Sequence, residues 1–241
     1  MVRYLIVNAD DFGASHGVNC GIVEAHRRGV VTSTSLNVTT PWSEAAAAAL
    51  PREAPELGVG LHADLTHPGP GSPGAVTDAV TDAERCTAEL ERQLRRFEQL
   101  TGRAPTHLDS HRNTHRDPRL LPAFLEVARR NGLPLREHCA VRYFSNFYGQ
   151  WGGETHLEQI GVDGLLRLLE TEVGEGVTEL ACHPGYLDPD LRSGYAAERE
   201  TELETLCDPA VQRALRERQI RLISFRDLDA PLRAPSAERG A

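Results

Sequence analysis

Along the chain, short runs of apolar and β-branched residues alternate with longer stretches whose apolar positions recur every three or four residues. The short runs cover residues 3–8, 33–38, 57–61, 105–108, 133–136, 178–182 and 220–224, and each has the length and make-up of a buried strand. The longer stretches cover residues 16–28, 41–50, 82–100, 118–131, 162–173 and 209–218 and predict amphipathic helices. Gly29 and Gly132 stand where two of these should stop, and Asp117 followed by Pro118 suits an N-cap and first helical position. Strand alternating with helix implies a parallel sheet with helices outside it. About seven such units predict an α/β fold of the parallel (β/α)-barrel kind, related to the TIM barrel and incomplete or distorted against its eight strands.

Three segments break the rhythm: residues 67–74 are rich in Gly and Pro, 137–156 are polar and aromatic, and 184–195 are rich in turn formers. Each follows a strand, so in a barrel all three gather at the mouth where active sites form. Residues 1–229 read as a single domain, the alanine run at 45–49 as exposed helix, and 230–241 as a disordered tail.

Composition narrows the function. With 241 residues, 40% of them hydrophobic, the chain can bury a sizeable core. Thirty-five acidic against 26 basic residues give a formal charge of −9, which leaves no basic field for nucleic acid or an anionic membrane and favours a neutral or cationic partner. All the basic residues are Arg. The absence of Lys removes Schiff-base chemistry, lysine-bound pyridoxal phosphate and the Walker phosphate lysine. Cys20, Cys86, Cys139, Cys182 and Cys207 are odd in number and form no CxxC pair, which argues against a disulfide framework or a thiolate zinc site and for a reducing, cytoplasmic setting. No signal-peptide pattern opens the chain, and no run approaches the length of a membrane span.

The ionisable residues fall at the carboxyl ends of the predicted strands. Asp10 and Asp11 follow the first, His62 the third, Asp109 and His111 the fourth, and His183 the sixth. A parallel barrel brings all these ends to one mouth. Asp11, His62 and His111 form a plausible set for a divalent ion, two imidazoles and a carboxylate with positions left open. His115 comes four residues after His111 and shares its face if the connection is helical, as a ligand or a support. A metal so held lowers the pKa of water and polarises a carbonyl, which leaves Asp10 as general base. Taken singly, each has a plainer explanation: Asp10 as a helix cap, His62 as a core histidine, His183 as a turn former before Pro184. Their coincidence at one end is what carries weight. His16, His26, His67, His107, His138 and His156 read as surface, packing or loop positions.

These residues lie in four stretches: 5–35 (LIVNADDFGASHGVNCGIVEAHRRGVVTSTS), 58–66 (GVGLHADLT), 105–115 (PTHLDSHRNTH) and 179–185 (ELACHPG). Together, and in this order, they resemble the YdjC-like carbohydrate deacetylases over nearly the whole chain. The resemblance implies a barrel-like fold, often a homodimer, and removal of acetyl groups from chitin-derived oligosaccharides. It further implies that Asp10 is the base, that Asp11, His62 and His111 hold one metal ion, Mg²⁺ in the family, and that His183 protonates the leaving amine. Asp109 and His115 then support the site or stand in as ligands. Mixed imidazole and carboxylate ligands also accept Zn²⁺, Mn²⁺ or Co²⁺. Two departures stand out: the family usually reads DSHxHxH where this chain has Asn113 in place of the middle His, and the segment between His62 and Asp109 is short.

Tyr143, Phe144, Phe147, Tyr148 and Trp151 place five of the chain's 13 aromatic residues in one segment. Flat rings such as Tyr148 and Trp151 suit the apolar face of a pyranose, with Arg136, Glu137 and Asn146 reading its hydroxyls. A loop packing its own small core, or a dimer contact, fits the same residues equally well. The expected partner is therefore an N-acetylated amino sugar or oligosaccharide, with no nucleic acid and no membrane. Two rivals remain: a metal-dependent hydrolase of another amide or a phosphoester, and a sugar-binding relative without catalysis, which Asn113 favours and the presence of Asp10 opposes.

Overall fold

The computed structural model describes residues 2–66, 83–191 and 193–228. The chain runs β1 (Arg3–Phe12), α1 (His16–Arg28), β2 (Ser33–Leu36), α2 (Ser43–Glu53), β3 (Gly58–Ala63), α3 (Ala83–Thr101), β4 (Leu108–Ser110), α4 (Leu121–Asn131), β5 (Arg142–Phe144), β6 (Gln150–Trp151), β7 (Glu154–Thr155), α5 (Leu157–Ile160), α6 (Val162–Thr171), β8 (Gly176–Cys182), α7 (Ala197–Cys207), α8 (Pro209–Glu217) and β9 (Ile220–Leu222). The main sheet is parallel in the order β4-β3-β2-β1-β8-β5. β8 pairs along β1 from Arg3 to Ala9, while the other edge of β1 takes β9 at Arg3 to Leu5 and then β2 at Asn8 to Phe12. The sheet curls into a half-barrel shell, of the parallel α/β barrel-like class expected from the sequence but more open than the nearly closed barrel that about seven strand–helix units suggest.

Side-chain alternation gives the shell an outside and an inside. Leu5, Val7 and Ala9 of β1, with Leu180 and Cys182 of β8, join the large core beneath the helices. Ile6 of β1 and Val177 of β8 instead pack with Val141, Phe225 and Leu228 in a small inner cluster. Above it on the same faces come Asn8 and Asp10, and Glu179 and Ala181. The inside is therefore apolar at its base and polar towards the carboxyl ends. Gly60 belongs to this packing: a Cβ there would stand 2.4 Å from the ring of His107, which fills the inside and stacks on Phe225 with centroids 4.0 Å apart.

Several boundaries differ from the sequence expectation. Residues 133–136 form no strand; Leu135 makes a single parallel bridge to Leu108, and the chain turns at once through Glu137, whose φ is +64°. β5, unforeseen, takes the edge beyond β8. Asp117 does not cap α4: Leu120 does, Pro122 stands in the first turn, and the Asp117 carboxylate binds Arg119 instead. Residues 197–207 carry no helical apolar period, yet form α7, because its buried face includes Glu198, Arg199 and Glu202. The segment 67–74 and the tail lie outside the described residues. Among the described residues, no helix is long and apolar enough to cross a membrane.

Candidate active site

The site begins where β1 ends. Strand alternation carries Asn8 and then Asp10 inward, and Asp11 should face the opposite way. A register shift between Ala9 and Phe12 intervenes, and Asp11 adopts φ +69°, so both carboxylates reach the same mouth. A left-handed conformation at a non-glycine residue costs about 1–3 kcal/mol and persists where surrounding contacts fix it. Here the contacts are Arg199 Nη2, 2.6 Å from Asp11 Oδ2, and two imidazoles, His62 Nε2 and His111 Nδ1, each 3.2 Å from Oδ1.

Asp11, His62 and His111 each offer one donor atom, all within 4.8 Å of one another. The donor set suits a divalent cation. Behind it, His62 Nδ1 lies 2.7 Å from Asp109 Oδ1, a carboxylate–histidine pairing that fixes the ring and aims Nε2 at the cluster. Asp109 Oδ2 lies 2.9 Å from Arg136 Nη2. Arg136 also donates from Nη1 to Asp10 Oδ2 at 2.7 Å, from Nη2 to Asp10 Oδ1 at 2.8 Å, and from Nε to Glu179 Oε1 at 2.9 Å. One guanidinium, 1% exposed, thus links three carboxylates at the floor of the site.

These contacts set the protonation states. Burial works to raise Asp10, but Arg136 outweighs it and holds the carboxyl below its ordinary range. Burial is likewise overcome at Asp11 by Arg199 and the two histidines, and at Asp109 by Arg136 and His62, so both stay ionised. Burial pulls His62 down, yet Asp109, Asp11 and Asp10 hold it well above the ordinary imidazole range. Glu179 goes the other way: burial lifts it to about 7 in spite of Arg136. Burial also lifts Glu202 to about 8, although it accepts from the His183 N–H and the Tyr195 hydroxyl, and pushes His183 down to about 4.

The raised glutamates predict a pH dependence of stability. A carboxyl whose folded pKa lies above its unfolded value binds more protons when folded, so the stability it contributes is lost as pH rises through the folded pKa. Over the same range the unfolded-state protons of His107 and His183, both pushed down to about 4 when folded, are shed and offset part of this loss, whereas His62, held well above the ordinary imidazole range, adds to it. Unfolding free energy is therefore expected to fall between pH 6.5 and 8.5, by about 1–3 kcal/mol through Glu179 and Glu202 together and further through His62. Urea titrations at the two pH values measure it, and Glu202→Gln should flatten the slope; equal slopes in both proteins remove Glu202 as its cause.

A cavity of about 830 Å³ opens over this floor and is lined by Asp10, Asp11, His62, His111, Tyr148 and His183, among others. Its volume is that of a small-molecule cleft. Tyr148 stacks on Tyr195, with centroids 4.6 Å and planes 6° apart, and His183 stands edge-on to both rings at 5.9 and 5.6 Å. Asn113 also lines the cavity, on a 3₁₀ stretch (His111–Arg116) in which it and Arg112 have positive φ.

The structure brings together Asp10, Asp11, His62, Asp109, His111, Tyr148 and His183, and separates three other expected site residues from the cavity. Arg136 does not line the cavity: its guanidinium lies beneath Asp10, committed to Asp10, Asp109 and Glu179. Trp151 stands on the β6–β7 hairpin, half exposed and stacked on His156 at 3.7 Å. His115 does not share a helical face with His111, because the backbone turns left-handed between them. It is fully buried, with Nδ1 2.7 Å from Ser110 Oγ and Nε2 3.1 Å from Glu137 Oε2.

Sequence reasoning missed Asn8, Glu179, Tyr195, Arg199 and Glu202. Period-two alternation from Asp10 and from His183 points to Asn8 and Glu179. Arg199 and Glu202 left no signal, since charged residues on a helix read as its solvent face.

The chain matches the profile of a family described as YdjC-like protein over residues 4–217. It is 38% identical over 252 residues to a carbohydrate deacetylase of Geobacillus stearothermophilus, covering 94% of this chain and 98% of that one. With a chitooligosaccharide deacetylase of Serratia marcescens it shares 37% identity over 264 residues, covering 95% and 100%. A crystal structure from Enterococcus faecalis V583, of a protein provisionally assigned to cellobiose-phosphate cleavage, superposes with a TM-score of 0.80 at 31% identity, covering 95% of this chain and 99% of that one. On this agreement of sequence and fold, the chain belongs to the YdjC-like family.

Proposed function

We propose that the protein is a carbohydrate deacetylase that hydrolyses the acetamide of an N-acetylated amino sugar or oligosaccharide, using one divalent ion held by Asp11, His62 and His111. The observation that carries this reading is the convergence of those donor atoms within 4.8 Å, at the floor of a cavity that Asp10 and His183 also line. The donors fit a divalent ion; Mg²⁺ follows the family, and Zn²⁺, Mn²⁺ and Co²⁺ suit the same atoms. When bound, such an ion activates water and polarises the acetamide oxygen.

The chain's own residues supply the proton transfers. Asp10 Oδ1 accepts from Asn8, Arg136 and Ser35, whereas Oδ2 accepts from Arg136; Oδ2 therefore keeps a lone pair for the proton of the attacking water. The hydroxide oxygen bonds to the acetyl carbon, the C–N bond breaks, and the nitrogen must gain a proton to leave as an amine. His183 delivers it. Its ring is neutral at pH 7, so it takes up a proton from solvent as negative charge developing on the amide raises its proton affinity, and hands it to the nitrogen, while Asp10 returns to solvent the proton it took from water. Tyr148, backed by Tyr195, offers a ring face to the apolar side of a pyranose.

The test is acetate release from N-acetylglucosamine, its 6-phosphate, chitobiose and chitotriose, using chelated protein with and without Mg²⁺, Mn²⁺, Co²⁺ or Zn²⁺. Acetate from at least one substrate, only with metal, is expected. Metal binding with no release from any of them would point to a non-catalytic binder or a different amide.

A further inference from the structure

Of the three candidate ligands, Asp11 has one oxygen already held by a cationic side chain. Arg199 Nη2 donates to Oδ2 at 2.6 Å, while Oδ1 faces both imidazoles at 3.2 Å. The same guanidinium, in a residue 4% exposed, donates from Nε to the Tyr195 carbonyl at 3.1 Å and from Nη1 to the His183 carbonyl at 3.4 Å. Three residues further along α7, Glu202 accepts from the His183 N–H and from the Tyr195 hydroxyl. One face of α7 thus grips the His183 peptide at both its N–H and its C=O, and Arg199 joins that grip to Asp11. Close packing holds the arrangement in place: Gly185 N donates to the Arg199 carbonyl at 3.2 Å, and a Cβ on Gly21 would stand 2.5 Å from Gly185 Cα.

We propose that Arg199 is a positioning residue that restricts Asp11 to ligation through Oδ1 and couples the metal site to His183. This deepens the reading of Asp11, His62 and His111 as ligands and rests on it. A carboxylate with both oxygens free can take a cation through both and brings its whole charge to it. With Oδ2 engaged by a guanidinium, Asp11 offers one oxygen and a partly offset charge, which weakens the hold on the ion and leaves more of its surroundings open to the reactants. In most metal sites a supporting contact strengthens binding. Here a cationic support should do the reverse, because like charges repel across the shared carboxylate.

The experiment titrates chelated wild-type, Arg199→Met and Arg199→Lys proteins with Zn²⁺ by calorimetry and measures acetate release from chitobiose in parallel. Arg199→Met is expected to bind Zn²⁺ roughly tenfold more tightly and to turn over at least about tenfold more slowly. Arg199→Lys keeps the charge but loses the planar fork, so affinity should stay near wild type while turnover falls; this variant carries the test if the Met variant fails to fold. A purely structural role would instead lower affinity, turnover and melting temperature together, and that result overturns the proposal. So does unchanged affinity in Arg199→Met, or wild-type turnover in Arg199→Lys. Wild-type protein that binds no Zn²⁺ overturns the ligand assignment itself, whereas wild-type binding with an indifferent Arg199→Met overturns Arg199 alone.

Discussion

Asp10→Asn is expected to lower acetate release by roughly 10²–10⁴-fold, the contribution of a positioned general base, while leaving divalent-ion affinity within a few-fold of wild type. The amide is nearly isosteric with the carboxylate and can still accept a hydrogen bond through its oxygen. It cannot take a proton at neutral pH. Arg136 would keep Asp109 and Glu179 as partners, so the floor of the site should hold its charge balance and the protein its fold. Asp11, His62 and His111 are untouched by the change. Calorimetric titration of metal into the chelated variant, beside an acetate assay, separates the two properties. Turnover within tenfold of wild type would show that another group takes the proton; loss of metal binding would place Asp10 among the ligands.

Arg136→Met should destabilise the fold by about 3–5 kcal/mol, the usual cost of removing one side of a buried ion pair. The guanidinium counters Asp10, Asp109 and Glu179 at once, and all three are buried. Without it, burial and mutual repulsion would raise all three carboxyl pKa values, and each would bind more protons folded than unfolded. Stability of the variant should then rise as pH falls from 8 to 6, more steeply than in the wild type. Urea unfolding at both pH values measures this. A loss below about 1 kcal/mol, or no steepening, would mean that the carboxylates find other partners. Glu179→Gln, by contrast, should be mild, because a carboxyl lifted to about 7 is already partly protonated at neutral pH.

Much of the architecture was legible because local patterns and the tertiary fold agree. His16–Arg28 is helical with the bounds its apolar period predicts, and the strands at residues 3–8, 33–38, 57–61 and 178–182 are present with shifted ends. Strand ends also told where chemistry would gather, since in a parallel sheet all carboxyl ends meet. The failures share a cause. Residue type alone points Arg136 and Trp151 at a sugar, but whether a side chain faces a cavity depends on turns that long-range contacts impose. The left-handed residues 112 and 113 likewise decide where His115 points, and no periodicity announces them.

By itself, then, the sequence determined the parallel α/β scaffold, the common end at which Asp10, Asp11, His62, His111 and His183 gather, and the family, because these follow from periods of two and 3.6 residues and from motif order. Only the tertiary structure decided that Arg136 is a buried counter-ion and that α7 brings Arg199 and Glu202 inward to Asp11 and His183. A charged residue on a helix carries the same local signal whether it meets water or a buried carboxylate, and the difference lies in what packs against it from a distant part of the chain.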